Sequence, residues 1–260
     1  MITDLQQQLF FQLLFIGAGY WFYLKKSVSA SGFVFLLLTT GSLIWTSNNE
    51  TITAIVMMFL FSTWATRYKE ADKKPVHKRL AESGPRNWKQ GFANLGPACL
   101  LALGAFFSGE IAFVHAAFAS IAAATADTFA SEIGVLSKKQ PCFILSRKKV
   151  PPGISGGVTL LGMSASAGGA SLIALTHVCF FKDPLVATMI VGLGILGSII
   201  DSVIGELYQV LYVNRTGDWV ETSGGAEELK GVRWMTNNVV NMITTVTIGI
   251  VSYFLAAFCL

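Results

Sequence analysis

Two pairs of carboxylates stand where a mostly apolar sequence has least use for them. Asp127 and Glu132 close one apolar block in Ala-Asp-Thr-Phe-Ala-Ser-Glu-Ile-Gly, and Asp201 and Glu206 lie late in another, in Asp-Ser-Val-Ile-Gly-Glu. An ionised side chain at the centre of a membrane helix costs about 2.5–3.5 kcal/mol on insertion scales, so such residues are candidates for function. A separation of five residues turns a side chain by about 140° around an ideal helix. The two members of a pair therefore do not share a face, whereas Asp127 and Ser131 do. The arrangement predicts that Asp127 and Asp201, from two helices, converge on one divalent metal, with each Glu nearby or bonded to a basic loop residue. The competing expectation is that these acids merely neutralise the surrounding Lys and Arg.

The segment after Asp127 favours phosphate chemistry. Residues 137–157 carry Lys138, Lys139, Arg147, Lys148 and Lys149 and then Ser155-Gly156-Gly157, just before the next apolar block. Backbone N–H groups of a glycine turn at a helix start cradle anions, and adjacent lysines neutralise phosphate charge. The Walker pattern is absent, since the lysines precede the glycines. Mg²⁺ is usually held by one or two carboxylates together with substrate phosphates, so the acids and the turn together predict phosphoryl chemistry. Upstream, Arg86, Asn94 and Pro97 suggest an irregular or broken start to a short span, able to turn polar groups into a cavity. Residues 213–236 form a polar loop that either covers a headgroup site or is simply solvated.

These residues must be positioned by membrane helices. Of 260 residues, 53% are hydrophobic and only 13% are charged, against roughly 25% charged in soluble domains. Apolar blocks at about 5–24, 29–45, 50–66, 92–107, 110–126, 157–181, 184–212 and 239–260 are continuous, without the alternation of a barrel strand. At about 20 residues per span they predict an all-α polytopic membrane helix bundle of about eight transmembrane helices, within a range of six to nine. One domain, 1–260, would carry loops at about 67–91, 127–156 and 213–238, with no room for a soluble catalytic domain. The first block lacks a basic n-region and a small-residue cleavage pattern and reads as a retained span. Trp and Tyr cluster near block ends, as an interfacial belt requires.

In that arrangement 18 of the 19 Lys and Arg fall on one side, with Lys182 alone on the other. The positive-inside rule makes that side cytoplasmic and puts both termini opposite. Topology and anionic lipid headgroups account for the net charge of +4, and no nucleic-acid partner is expected. The four cysteines and three histidines are scattered, without metal-site spacing. Small residues in the sixth block, Gly157, Gly162, Ser164, Ser166, Gly168, Gly169 and Ser171, point to close helix packing or to a groove for a lipid tail.

The segments Arg86-Asn-Trp-Lys-Gln-Gly-Phe-Ala-Asn94, Ala-Asp127-Thr-Phe-Ala-Ser-Glu132-Ile-Gly134, Val-Pro-Pro-Gly153-Ile-Ser-Gly156-Gly157 and Asp201-Ser-Val-Ile-Gly205 together resemble the integral-membrane family that includes phytyl-phosphate kinase and transmembrane protein 19. That family is similar in turn to CTP-using phytol and dolichol kinases, whose motifs have counterparts in Ala126-Asp127-Thr-Phe-Ala130 and in Lys148-Lys149 leading to Gly153 and Ser155. Ala126 stands where those kinases have glycine, and Pro151-Pro152 where they tend to have an acid. The resemblance implies transfer of a phosphoryl group from CTP or another nucleoside triphosphate to an isoprenoid monophosphate, with Mg²⁺. Asp127 and Asp201 would hold the metal and Glu132 would assist. Lys148, Lys149, Ser155, Gly156 and Gly157 would bind phosphates, Arg86 and Asn94 would orient nucleotide or acceptor, and the tail would lie among small-residue helices in the bilayer. A lipid-phosphate cytidylyltransferase, a cation-coupled transporter using the same acids, and a non-catalytic scaffold are the alternatives.

Overall fold

The computed structural model describes residues 2–46, 48–77 and 84–259. Among them are nine helices: α1 (Ile2–Leu24), α2 (Ala30–Trp45), α3 (Asn49–Arg67), α4 (Glu70–His77), α5 (Trp88–Ser108), α6 (Ile111–Gly134), α7 (Leu160–Phe181), α8 (Pro184–Leu207) and α9 (Asn237–Cys259). Each of the eight apolar blocks is helical, and α4 is a short polar helix within a connection. Five helices, α5 to α9, are long and apolar enough to cross a membrane, and α2 is a shorter apolar one. The chain is a polytopic helical membrane protein. Its outer surface carries large apolar side chains, among them Leu38, Leu100, Leu160, Leu175, Leu185 and Phe254, which water would not tolerate in such number.

Helix α6 is the hub, with 16 of its 24 residues buried. The sequence explains this: the run 116–126 is Ala, Ser and Thr apart from Phe118 and Ile121, so neighbours approach closely on its small-residue faces. Gly194 and Gly197 of α8 lie against Ala122 and Ala123, where an added Cβ would clash. Gly169 of α7 meets Phe129 and the Thr125 carbonyl in the same way. Of the small residues of the sixth block, Gly162, Ser166 and Gly169 are buried and serve close packing, whereas Ser164, Gly168 and Ser171 are exposed.

Helix α5 is not broken. Asn87 and Gln90 form a reciprocal capping box, and the helix runs on through Pro97. A proline has no N–H for the carbonyl four residues earlier. That carbonyl, on Ala93, lies 2.8 Å from the Thr245 hydroxyl of α9, whose one proton it shares with the Asn241 and Met242 carbonyls at 2.9 and 3.1 Å. A neighbouring span thus supplies the bond the proline forfeits.

The connections carry short strands that the all-α expectation omitted. β1 (Cys142–Phe143) pairs antiparallel with β2 (Gly157–Val158), and β3 (Leu211–Val213) lies between β4 (Trp219–Val220) and β5 (Glu227–Lys230). Phe143, Val150, Ile154 and Leu211 form a second small core there, with Trp219 packed on it. The basic connections meet at one end of the bundle. Arg86 pairs through its backbone with Ser27 and Ser29, Lys73 reaches α6, and the 142–149 segment is tied to the end of α8. Lys78 and Arg79, counted among the basic residues of the third connection, lie outside the described residues.

Candidate functional site

A cavity of about 980 Å³ opens among these connections. Its apolar lining includes Phe35, Leu36, Ile55, Met58, Phe59 and Leu95 of α2, α3 and α5, with Met163, Ile195 and Ile199 of α7 and α8. Its polar lining includes Arg86, Asn94, Asp127, Glu132, Ser155, Gly156, Gly157 and Asp201. Eight of the ten residues expected at the site therefore line one space. Lys148 and Lys149 do not. Both are exposed, and the Lys148 ammonium sits 5.5 Å over the Trp219 ring. Folding of their segment onto the β3–β4 hairpin turns them away, and Lys25, Lys26 and Arg67 are the other cations on the cavity wall.

Asp201 is buried and anchored in a side-chain amide network. The Asn241 amide, turned to serve Asp201, donates to Asp201 Oδ2 at 2.9 Å and to the Asn237 carbonyl at 3.2 Å, and its oxygen then accepts across 3.1 Å from an Asn94 amide turned with its NH₂ toward it. The Thr244 hydroxyl adds a longer contact of 3.4 Å to the same carboxylate oxygen. Asp127 lines the same cavity from α6. Asn94 thus acts through Asn241 on Asp201. The signal for Asn241 was present in the sequence: Asn237, Asn238 and Asn241 are three amides at the mouth of an apolar block.

The two glutamates of the paired motifs are bound to scaffold groups. Glu132 accepts from Lys73 Nζ at 2.7 Å and from the Thr66 hydroxyl at 2.9 Å. Lys73 also donates to the carbonyls of Ala65 and Thr66, at 2.8 and 2.6 Å, and closes the C-terminal end of α3. Its three donors are all used. Arg86 stands beside them, 3.4 Å from the Thr66 hydroxyl and 5.4 Å over the Phe59 ring. Burial lowers the Arg86 pKa from its usual value, against the pull of the Glu132 carboxylate. Glu206 accepts from the backbone N–H groups of Leu145 and Ser146, each at 2.8 Å, and so fixes the basic hairpin to α8. Lys73 had no distinguishing mark in the sequence, being one of several charges in Glu-Ala-Asp-Lys-Lys-Pro.

The Ser-Gly-Gly turn approaches α8 rather than standing free at a helix start. Gly156 has φ +82°, a left-handed conformation that disfavours side chains, and a Cβ there would strike the Glu206 and Ser202 backbone. The Ser155 N–H points to an anion, as a cradle should. It donates to Glu221 Oε1 at 2.9 Å, a carboxylate from the polar loop 213–236. That loop therefore covers the site with an acid of its own, and Glu221 lines the cavity.

Among the described residues no three His, Cys, Asp or Glu side chains converge as a metal cage. Asp127 and Asp201 remain a two-carboxylate set, the number Mg²⁺ ordinarily takes alongside phosphates. The histidines are less scattered than they looked, since His115 and His177 meet at 3.0 Å inside the bundle. They belong to α6 and α7 and do not line the cavity.

Protein PGR of Arabidopsis thaliana is 29% identical over 252 residues, spanning 85% of this chain and 86% of the relative. The uncharacterized membrane protein MJ0933 of Methanocaldococcus jannaschii is 31% identical over 197 residues, 76% of this chain and 72% of its own. Protein VTE6, chloroplastic, also of Arabidopsis thaliana, is 26% identical over 247 residues, 91% of this chain and 68% of its own. No solved structure matches. The family described as integral membrane protein DUF92 matches residues 13–249, which takes in the helices that build the cavity and every residue that lines it. The chain belongs to the DUF92 family of integral membrane proteins.

Proposed function

We propose that this DUF92 protein is a membrane-embedded prenyl-phosphate kinase that transfers the γ-phosphoryl group of CTP to an isoprenoid monophosphate, giving an isoprenoid diphosphate and CDP. The observation that carries this reading is one cavity lined both by apolar side chains, among them Phe35, Leu36, Ile55, Met58, Phe59 and Leu95, and by Arg86, Asp127 and Asp201. An anionic head on a hydrocarbon tail needs both kinds of lining. The resemblance of the 86–94, 126–134, 150–157 and 201–205 segments to the phytyl-phosphate kinase family adds support. The charge asymmetry supports a cytoplasmic position for the polar mouth, with both termini opposite.

An oxygen of the acceptor phosphate attacks the γ-phosphorus while the bond to the β,γ-bridging oxygen breaks, and that oxygen leaves with CDP. The attacking oxygen is already anionic, so no side chain has to remove a proton, and positioning with charge neutralisation dominates. Asp127 and Asp201 would hold Mg²⁺, which supplies neutralisation of the phosphate charge. Arg86, with Lys25, Lys26 and Arg67, lowers the cost of gathering anions at the mouth. Asn241 and Asn94 keep the Asp201 carboxylate in place, and the apolar side chains of the lining suit the hydrocarbon tail.

Purified protein with γ-labelled CTP, Mg²⁺ and phytyl or geranylgeranyl monophosphate should yield labelled diphosphate. A CDP-lipid with released pyrophosphate would identify a cytidylyltransferase instead. Absence of transfer from any nucleotide with any divalent metal would sink the reading.

A further inference from the structure

Helices α7 and α8 are joined at one end by Lys182 and Asp183 alone, and they pack closely near mid-length. A Cβ added to Gly194 would come within 2.7 Å of the Ala170 side chain and 3.2 Å of Ala122, which leaves no room for a hydrocarbon chain at that level. Seven residues on toward the cavity, about 10 Å along each helix, stand Met163 on α7 and Asp201 on α8. Both line the cavity, as do Ser166 and Ser198 between them and the half-buried Ile195 and Ile199 of α8. Past the pinch at Ala170 and Gly194, the two helices thus border the same open space.

This part of the lining reaches the outer surface of the bundle. Among the described residues, Met163 is the one large apolar side chain that both lines the cavity and is exposed, at 45%. It shares a helix face with Ala170, seven residues on, and that face meets α8. Leu160 and Leu161, nearer the start of α7, are exposed as well, so Met163 lies within the apolar belt of its span. Elsewhere the apolar lining packs on further rings. Phe59 of α3 meets Phe22 of α1 edge-on at 4.6 Å between centroids, and Phe35 of α2 meets Phe92 of α5 at 6.3 Å.

The interior is too shallow for a long tail. On α8 the lining ends at Ile195, six residues and about 9 Å beyond Asp201. Past Ile55, the last lining residue of α3, buried Leu43, Ile44 and Ile52 fill the bundle. An extended geranylgeranyl chain runs to about 18 Å, taking the advance per bond from an extended backbone. We propose that the gap between α7 and α8 beside Met163 is a lateral portal, through which the acceptor's hydrocarbon tail passes into the bilayer while its phosphate stays beside Asp127 and Asp201. The proposal rests on the phosphotransfer reading and adds to it the route of the tail. Outside the portal the chain lies in lipid, so no apolar surface is returned to water. Recognition then covers the head and the first isoprene units, and added length carries no weight.

The test uses the purified full chain in phosphatidylcholine nanodiscs with Mg²⁺ and a geranylgeranyl monophosphate that bears a photoreactive diazirine at the far end of its tail. Adducts that unlabelled geranylgeranyl monophosphate competes away should map to α7 and α8 near Met163, and a longer polyprenyl monophosphate should compete as effectively. Met163→Trp fills the gap. It should raise the concentration of geranylgeranyl monophosphate needed for competition, relative to that of geranyl monophosphate, about tenfold. Equilibrium binding of tripolyphosphate, which has no tail, reports whether the variant keeps the polar site. The portal is overturned if competable adducts fall only on α2, α3 and α5, if none is competable, if the longer chain fails to compete, or if Met163→Trp affects both chain lengths alike. Continued phosphoryl transfer would then leave the kinase reading standing. Adducts near Met163 without transfer to any acceptor would keep the portal, for a lipid phosphate, and overturn the kinase.

Discussion

Lys73 donates from Nζ to Glu132 Oε2 at 2.7 Å, and no part of the Lys73 side chain is exposed. The pair joins α4 to α6 beneath the mouth of the cavity. Removing one partner of a buried ion pair strands the other charge, at about 3–5 kcal/mol. Lys73→Met and Glu132→Gln should each lower the thermal midpoint of the detergent-solubilised protein. The double variant should recover part of the loss, because neither charge is then left alone. A Glu132→Gln protein as stable as wild type but without transfer would return Glu132 to the chemistry.

Asp201 and Asn241 separate direct from indirect roles. Asp127→Asn and Asp201→Asn should each abolish measurable transfer while the protein remains monodisperse. Asn241→Leu should instead raise the Mg²⁺ concentration for half-maximal rate by about 10–100-fold, as loss of a group that orients a metal ligand typically does. An unchanged Mg²⁺ requirement in Asn241→Leu would contradict its positioning of Asp201.

The spans were legible because hydrocarbon admits few solutions. Continuous apolar blocks in a bilayer favour helices, and a helix falls in each of the eight, five of them long and apolar enough to cross a membrane and α2 a shorter apolar one. The site acids were legible for the same reason, since Asp127 and Asp201 interrupt apolar sequence at a cost. The partition within each pair was not. Whether Glu132 faces a metal or Lys73 depends on where α4 folds back, and nothing in a run of polar residues encodes that destination. Lys148 and Lys149 stand outside the cavity lining although their segment is paired with the 157–158 strand, since Cys142 bridges both Lys149 and Val158. Sequence spacing does not encode which way those side chains turn. Pro97 misled through a local rule that Thr245, far along the chain on α9, overrides.

The displaced lysines make a sharp contrast with Arg86. Lys149 is exposed, and its replacement by Ala should stay within about 0.5 kcal/mol in stability and leave nucleotide affinity unchanged. Lys148→Ala loses a cation–π contact with Trp219, worth about 0.5–1 kcal/mol at an exposed site, and should likewise leave affinity alone. Arg86→Met should weaken tripolyphosphate binding about tenfold, because a charged hydrogen bond contributes about 1.5–3 kcal/mol. Equal effects at all three positions would mean that the hairpin swings into the cavity when ligand binds.

Glu221 holds the Ser155 N–H that a phosphate would use. A phosphate at this turn has to displace the carboxylate and then lie beside it, at a cost in repulsion. Glu221→Ala should therefore tighten tripolyphosphate binding and lower its dependence on Mg²⁺, read in the same equilibrium assay. Weaker binding would make Glu221 a contributor to the anion site rather than its competitor.

Thr245 and Pro97 provide a test of the helix packing that needs no ligand. The Thr245 hydroxyl donates to the Ala93 carbonyl at 2.8 Å, the acceptor that Pro97 leaves without a backbone partner. Thr245→Val should cost about 1 kcal/mol, within the range of interhelical hydrogen bonds in bilayers. In a Pro97→Ala background the backbone N–H restored at that position can close the α5 ladder onto the same carbonyl. The threonine is then redundant, and Thr245→Val should cost markedly less. Thermal or denaturant unfolding of the four proteins in one detergent measures the difference. Additive effects of the two substitutions would mean that the carbonyl finds its partner elsewhere, and that α5 and α9 are joined there by packing alone.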